Sequence, residues 1–353
     1  METNAFKVTN LATVMHQFDL WCQELPMVRP FFAVKCCDDP VILRLLASRG
    51  CGFCCTDRNE LGFVLHDLFP ELNIEQKQIL LQSVLSSYST YMKSHITYAT
   101  DIGVDIITFD SEDDLDRLST TERCRSLQLL LKINIEEQHS VPQLSRNYGC
   151  AFEEAQALME KAHSLGLYLA GVSFHFGSDC SDPSIYLVAI NYARVIFDWA
   201  DDMGHHPMSI VDIGGGFPGG IGGNNLHDPN MPPFQEYAAS IRAGVNIFAQ
   251  GFSRPLHTVR FIAEPGRFFV TAATTVVTRI SERRGNNNNS QVVYTDEGIR
   301  GSLARCQYNR VRPVVLGSAI SRERLLPKER NIISPTSLPR RIVNMDNGGC
   351  DDY

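Results

Sequence analysis

Five short stretches carry side chains whose types and spacing could do chemistry. RPFFAVKCCDDP (29–40) sets one lysine, Lys35, directly behind the apolar run from Phe31 to Val34. An ammonium at the end of a buried strand is costly unless it is paired or used. Two readings are open on local grounds. The stem packs while the head reaches water, or a low-dielectric pocket makes the amine easier to deprotonate and able to form a Schiff base with a carbonyl group. SFHFGSD (173–179) places His175 before a glycine–serine turn, where an imidazole either caps a strand or stacks on a flat ring. DIGGGFPGG (212–220) presents Gly214, Gly215 and Gly216 in succession. The triplet is either a tight turn or a set of N–H groups that an anion can approach without interference from Cβ. EPGRFF (264–269) adds Glu264 and Arg267. They form either a salt bridge within one loop, or a carboxylate able to keep a pyridine nitrogen protonated beside a guanidinium able to bind phosphate. Cys51 and Cys54 make a CxxC inside CGFCCT; with no second ligand pair nearby, buried thiols describe it better than a metal site, and no metal is expected.

Each of these stretches lies on or follows an apolar run suited to a buried strand. Eight such runs occur in order: FFAVK (31–35), CGFCCT (51–56), ILLQSV (79–84), VDIITF (104–109), LQLLLKIN (127–134), LAGVSFHFG (169–177), MSIVDIGGG (208–216) and VRFIAEPG (259–266). Helix-like stretches separate them, several opening on Asp or Ser and closing on Gly. Strand and helix alternating eight times predict an α/β fold, a TIM-like (β/α)8 barrel. Barrel chemistry sits where the strands end, which gathers Lys35, Cys54, Lys132, His175, Gly214 to Gly216, Glu264 and Arg267 at one mouth. An aldehyde-reactive lysine, a ring-stacking histidine, a phosphate loop and a pyridine-binding carboxylate are the parts that a pyridoxal 5'-phosphate site needs.

After Arg267 the pattern changes to strand-like runs joined by polar loops, so residues 268–353 read as a β domain that residues 1–10 join, with the barrel over 11–267. RRGNNNNS (283–290) reads as a mobile hairpin loop, and PGGIGGNN (218–225) as a flexible loop after the seventh strand. A hydrophobic content of 44% with 20% charged residues excludes a disordered chain and allows a large core. The net charge of −8 argues against a nucleic-acid surface and fits an enzyme of small molecules. No run of about 18 apolar residues occurs, so no membrane helix is expected. The eleven cysteines are not spaced as a disulfide framework and the opening METNAFKVTN is no secretory signal, which predicts free thiols in a reducing, cytoplasmic setting.

PFFAVKC, TFDSEDDL, GVSFHFGS, DIGGGFPG and AEPGRFFV, in this order, resemble the eukaryotic ornithine decarboxylase family of barrel-type pyridoxal phosphate decarboxylases, which includes the antizyme inhibitors. The resemblance covers roughly residues 4 to 280. It implies that Lys35 carries the cofactor, that His175 stacks on its ring, that Ser178, Gly214 to Gly216 and Arg267 hold its phosphate, and that Glu264 meets the pyridine nitrogen. It also implies a dimer with sites between subunits and conversion of ornithine to putrescine in polyamine biosynthesis. The chain departs from the family pattern at Cys54, where an aspartate is expected, and at Lys132, where an arginine is expected. LQSVLSSYSTY offers no counterpart to the family's Asn-Pro-Cys-Lys segment. Asn309 stands at the aspartate that binds the distal amine, Ser337 at the catalytic cysteine, and Leu338 or a gap at a second amine-binding aspartate. The family's last strands have no counterpart after Val343, so the β domain is expected to be incomplete relative to the family. Two functions follow: an amino-acid decarboxylase impaired toward ornithine, or an inactive relative that binds antizyme, in either case paired with itself or with a paralogue.

Overall fold

The structure, a computed structural model, describes residues 5–87, 92–135, 148–177, 180–221, 224–225, 231–284, 292–297 and 341–344. Two compact units divide the chain, one of Asn10–Ala273 and one of Met1–Thr9 with Thr274–Tyr353. The smaller unit opens the chain with β1 (Phe6–Thr9). The larger unit then runs through α1 (Leu11–Glu24), β2 (Val28–Ala33), α2 (Pro40–Ser48), β3 (Gly52–Cys55), α3 (Arg58–Gly62), α4 (Ile74–Leu81), β4 (Val84–Ser86), α5 (Lys93–Asp101), β5 (Ile106–Phe109), α6 (Glu112–Ser119) and β6 (Gln128–Ile133). It continues with α7 (Ala155–Ser164), β7 (Leu169–Phe174), α8 (Ser184–Asp202), β8 (Ile210–Asp212), the short pair β9 (Gly220–Ile221) and β10 (Asn224–Asn225), α9 (Phe234–Ala249), β11 (Arg260–Ala263) and α10 (Arg267–Val270). The smaller unit resumes with β12 (Thr274–Val277), β13 (Ile280–Arg284), β14 (Val292–Thr295) and β15 (Arg341–Asn344).

The expected barrel is present: β2 to β8 and β11 close into a ring of eight parallel strands. Its interior is packed rather than hollow, because every strand sends one side chain to a common layer. These are Phe31, Cys54, Leu85, Ile106, Leu130, Ala170, Ile210 and Ile262, all buried. Outside the ring a larger apolar shell seats the helices. Trp21 of α1 anchors it, stacking on Phe234 and donating its indole N–H to the Val28 carbonyl at 2.9 Å. Helix starts follow the sequence signals. Asp39 accepts from the N–H groups of Val41 and Ile42 ahead of Pro40, and Ser111 accepts from Asp114.

Two elements differ from the sequence expectation. The run ILLQSV is not a strand; Ile79, Leu80 and Leu81 finish α4, and the third barrel strand begins only at Val84. The cause lies at the helix start, where Asn73 and Gln76 bond each other's backbone N–H groups at 2.9 and 3.0 Å and launch a helix through the apolar residues. The first strand ends at Ala33, and Val34–Cys36 forms a single 3-10 turn, so Lys35 stands on a turn above the strand with its side chain exposed.

The larger unit runs past Arg267 to Ala273. Helix α10 presses Phe268 and Phe269, both fully buried, against Trp21 and Phe234, and burying a phenylalanine is worth about 1.5–3 kcal/mol. In the smaller unit β1 pairs antiparallel with β12, and β14 pairs antiparallel with β13 and parallel with β15. Of RRGNNNNS, residues 285–290 lie outside the described residues. The stretch after β8 holds the antiparallel pair β9 and β10 rather than loop alone.

Candidate active site

Side chains two positions apart on a strand share a face. Leu130, Ile210 and Ile262 belong to the inner apolar layer, so Lys132, Asp212 and Glu264, each two residues further along, enter the same interior one layer nearer the mouth. Glu264 is only 7% exposed and Asp212 is fully buried. The two carboxyl groups hydrogen-bond each other. Asp212 also accepts from the Ser173 hydroxyl at 2.8 Å and from the Gly214 N–H at 3.0 Å.

Burial, followed by the Glu264 charge, pushes Asp212 well above the ordinary carboxylate range. Burial would raise Glu264 too, but Lys132, His175, Lys35 and the hydrogen bond from Asp212 overcome it and hold the carboxyl below its ordinary value. The pair therefore carries one proton, on Asp212, and Glu264 is the anion. Its Oε1 is buried and receives no N–H or hydroxyl hydrogen bond among the described residues. The Asp212 proton is the donor that this buried carboxylate has within the protein.

His175 follows β7 and lies against the glycine triplet. The Gly215 N–H donates to its Nδ1 at 3.1 Å, which leaves the proton of the neutral ring on Nε2. Burial, then the Lys35 charge, pushes this imidazole down to about 3, so it is neutral at physiological pH. The triplet needs glycine for close approach. A Cβ on Gly215 would come within 2.7 Å of the Glu264 carbonyl and 3.1 Å of the His175 ring. A Cβ on Gly214, whose φ is +66°, would meet the Phe174 carbonyl at 1.9 Å. Gly214 accepts from the Glu264 N–H at 2.6 Å, and the Tyr186 hydroxyl donates to the Gly215 carbonyl at 2.6 Å. The N–H groups of Gly214 and Gly215 are thus spent within the protein. That of Gly216 has no partner among the described residues and is the one open to an anion.

Lys35, Glu264, Lys132 and Arg267 all act electrostatically on His175, and Cys54 feels Glu264 and Lys35. The mouth therefore assembles Lys35, Lys132, His175, Gly214 to Gly216, Glu264 and Arg267 from five strands and their loops, whereas Cys54, expected there, does not reach it. Cys54 lies in the inner layer below Glu264. Burial, then the Glu264 charge, raises its thiol well above the ordinary range and keeps it protonated. Ser178, Asn309, Ser337 and Leu338 lie outside the described residues. The sequence reading did not single out Asp212, Ser173 or Tyr186. Asp212 had a usable signal, since it sits two residues after an inward apolar on the strand that leads into the triplet. The anionic Glu264, the free Gly216 N–H, the nearby guanidinium and an exposed amine suit a flat, nitrogen-bearing ring with a phosphate and a reactive carbonyl.

Comparison with known proteins points the same way. The family described as "Pyridoxal-dependent decarboxylase, pyridoxal binding domain" matches residues 11–271. The chain is 33% identical over 304 residues to the ornithine decarboxylase of Saccharomyces cerevisiae, covering 86% of this chain and 59% of that protein. It is 32% identical over 310 residues to antizyme inhibitor 2 of Mus musculus, covering 84% of this chain and 62% of that one. Among solved structures, the arginine decarboxylase of Paramecium bursaria Chlorella virus bound to agmatine superposes with a TM-score of 0.76 at 26% identity, over 89% of this chain and 78% of that chain.

Proposed function

The chain belongs to the pyridoxal-dependent decarboxylase family, and from that premise we propose that it is an ornithine decarboxylase-like carboxy-lyase with a weakened preference for ornithine. The observation that carries this reading is the buried, anionic Glu264, held below its ordinary value by Lys132, His175 and Lys35 in a mouth that also holds the other cofactor-side residues. Bound pyridoxal phosphate supplies a carbonyl that condenses with amines and a ring that takes up the electron pair left when a carboxylate departs. Lys35 is the amine that holds this cofactor and yields it to the substrate amine. Neutral His175, fixed by Gly215, presents an uncharged ring face for stacking. The Gly216 N–H and Arg267 take the phosphate, with Ser178 joining them by resemblance. Glu264 accepts the pyridine N–H, and Lys132 and Asp212 keep it anionic to do so.

On the substrate side the reading rests on the resemblance. Asn309 and Leu338 at positions of two amine-binding aspartates weaken the hold on a distal ammonium, because a desolvated cation without its anion carries the full cost of burial. Ser337 at the position of a cysteine is a much poorer acid for returning a proton to Cα. The same replacements favour a second reading, an inactive relative that binds antizyme, to which the likeness to antizyme inhibitor 2 lends weight. The reading includes a cytoplasmic setting, a role in polyamine biosynthesis, and a dimer formed with itself or with a paralogue. Release of labelled carbon dioxide from ornithine and from leucine, measured side by side on the protein and on Lys35→Ala, tests it. Slow release from ornithine that Lys35→Ala abolishes supports the decarboxylase. Rapid ornithine-selective turnover refutes the weakened preference, and no turnover together with tight antizyme binding selects the second reading.

A further inference from the structure

Five of the six backbone polar groups of Gly214, Gly215 and Gly216 are tied within the larger unit. Asp212 and His175 accept from the N–H groups of Gly214 and Gly215. The three carbonyls accept in turn from the Glu264 N–H at 2.6 Å, the Tyr186 hydroxyl at 2.6 Å and the Cys180 N–H at 3.2 Å. The sixth group, the Gly216 N–H, has no partner among the described residues. Gly216 is also the one residue between Ile210 and Gly220 that is not buried. The open N–H shares its peptide unit with the Gly215 carbonyl. That unit is planar and trans, so its C=O and N–H bonds point in opposite directions, and whatever holds the carbonyl also aims the N–H.

We infer that Tyr186 is a positioning residue for the cofactor's phosphate, acting through the Gly215–Gly216 peptide; the role rests on the pyridoxal phosphate reading of the mouth. Tyr186 belongs to α8 and is fully buried in the apolar shell outside the ring of strands. Its ring stacks on Phe217 at 5.1 Å and stands edge-on to Phe176 at 4.9 Å and to Tyr237 at 6.0 Å. Packed on three sides, the ring holds its hydroxyl in one place. The Gly215 carbonyl is thereby drawn toward the helical shell, and the Gly216 N–H is turned away from it. The glycine is required for this arrangement, since at a φ of +100° a Cβ on Gly216 would lie 2.6 Å from the Gly177 carbonyl and 3.2 Å from the Tyr186 hydroxyl. Phenylalanine at position 186 would keep the ring contacts and remove the one donor to a buried carbonyl. An unsatisfied carbonyl is costly, so the peptide would turn toward another donor and carry the N–H out of line with the phosphate.

The test compares two ligands that differ only in the phosphate. The full chain and Tyr186→Phe are each titrated with pyridoxal 5'-phosphate and with pyridoxal, and binding is read from the absorbance of the ligand. Tyr186→Phe should bind pyridoxal phosphate about threefold to tenfold more weakly, the effect of about one hydrogen bond, and should bind pyridoxal as the wild type does. Equal losses for both ligands would make the bond a structural one, and no loss for either would make it idle; each result overturns the inference. A second measurement needs no variant, so it stands even if Tyr186→Phe does not fold. In wild-type protein labelled with nitrogen-15 at glycine, exchange of the Gly214 and Gly215 amide protons should be slow without ligand, and exchange at Gly216 should slow only when pyridoxal phosphate is added. Exchange at Gly216 that the bound cofactor leaves unchanged would overturn the inference. The two levels fail differently. A wild type that binds pyridoxal phosphate no better than pyridoxal refutes the phosphate reading of the mouth and the role of Tyr186 with it, whereas a preference for the phosphate ester that Tyr186→Phe retains in full removes Tyr186 alone.

Discussion

Replacing Lys132 by methionine tests the electrostatics of the mouth in a way that packing cannot imitate. Lys132 is the leading cation holding Glu264 ionised against its burial, and methionine keeps the length of the stem without the charge. For charges beyond direct contact, roughly 5–8 Å apart at an effective dielectric of about 20, the attraction is about 2–3 kcal/mol, or roughly 1.5–2 pK units. In the wild type the folded value of Glu264 lies below its ordinary one. Its contribution to stability is then present above the unfolded value of about 4.3 and is lost as pH falls through the folded value. In Lys132→Met the folded value rises, so this contribution shrinks. The stability gap between the two proteins should be small near pH 4, open by up to about 1.4 kcal/mol per pH unit, and level off at about 2–3 kcal/mol near pH 7. Urea denaturation of the cofactor-free proteins across pH 4–8 measures it, and Lys132→Arg, which keeps the charge, should stay close to wild type. A gap that does not change with pH, or an arginine variant as weak as the methionine one, would refute the assignment of Glu264 as an anion sustained by Lys132.

Three further outcomes follow from the same geometry. Asp212→Asn should retain cofactor affinity, because an amide can donate to Glu264 while the Ser173 hydroxyl turns to accept, whereas Asp212→Ala should lose about tenfold or more in a cofactor titration. Gly215→Ala should cost about 1–3 kcal/mol in thermal or urea unfolding and weaken cofactor binding, since the new methyl meets the Glu264 carbonyl and the His175 ring. Arg267→Ala should reduce cofactor affinity more than Cys54→Ala, because a guanidinium forms a charge-assisted bond to phosphate while the Cys54 thiol remains protonated; equal losses would remove Arg267 from the phosphate site.

The barrel was legible because its strands are short apolar runs and most lead directly into polar residues of the mouth. The misread strand shows the limit. Ile79 to Leu81 look the same to a pattern search whether they end a helix or start a strand, and only the Asn73–Gln76 capping pair upstream decides between them. Lys35, His175, the glycines and Glu264 could be read because each stands at the end of a strand-like run. The partnership of Asp212 and Glu264 could not be read, because it exists only once β8 and β11 lie side by side in register. The glycine triplet read as an anion loop in the sequence, yet two of its three N–H groups serve His175 and Asp212, so most of what it does is to hold those two side chains in place.

The proton on Asp212 explains how so many ionisable groups coexist in one mouth. The charges that reach His175 are those of Lys35, Lys132 and Arg267 against Glu264 alone. His175 stays neutral, Cys54 stays a thiol and Asp212 stays protonated, which leaves an excess of two positive charges. A phosphate monoester brings roughly −1.5 to −2 at neutral pH, and that nearly closes the balance. Were Asp212 ionised, it would repel Glu264 in a buried layer and cancel half of the field that draws the phosphate in. Held as an acid, it instead donates to Glu264 and leaves that carboxyl as the one anion of the pair. The carboxyl pair thus counts as one anion among three cations, and the excess of positive charge is what the proposed phosphate would meet.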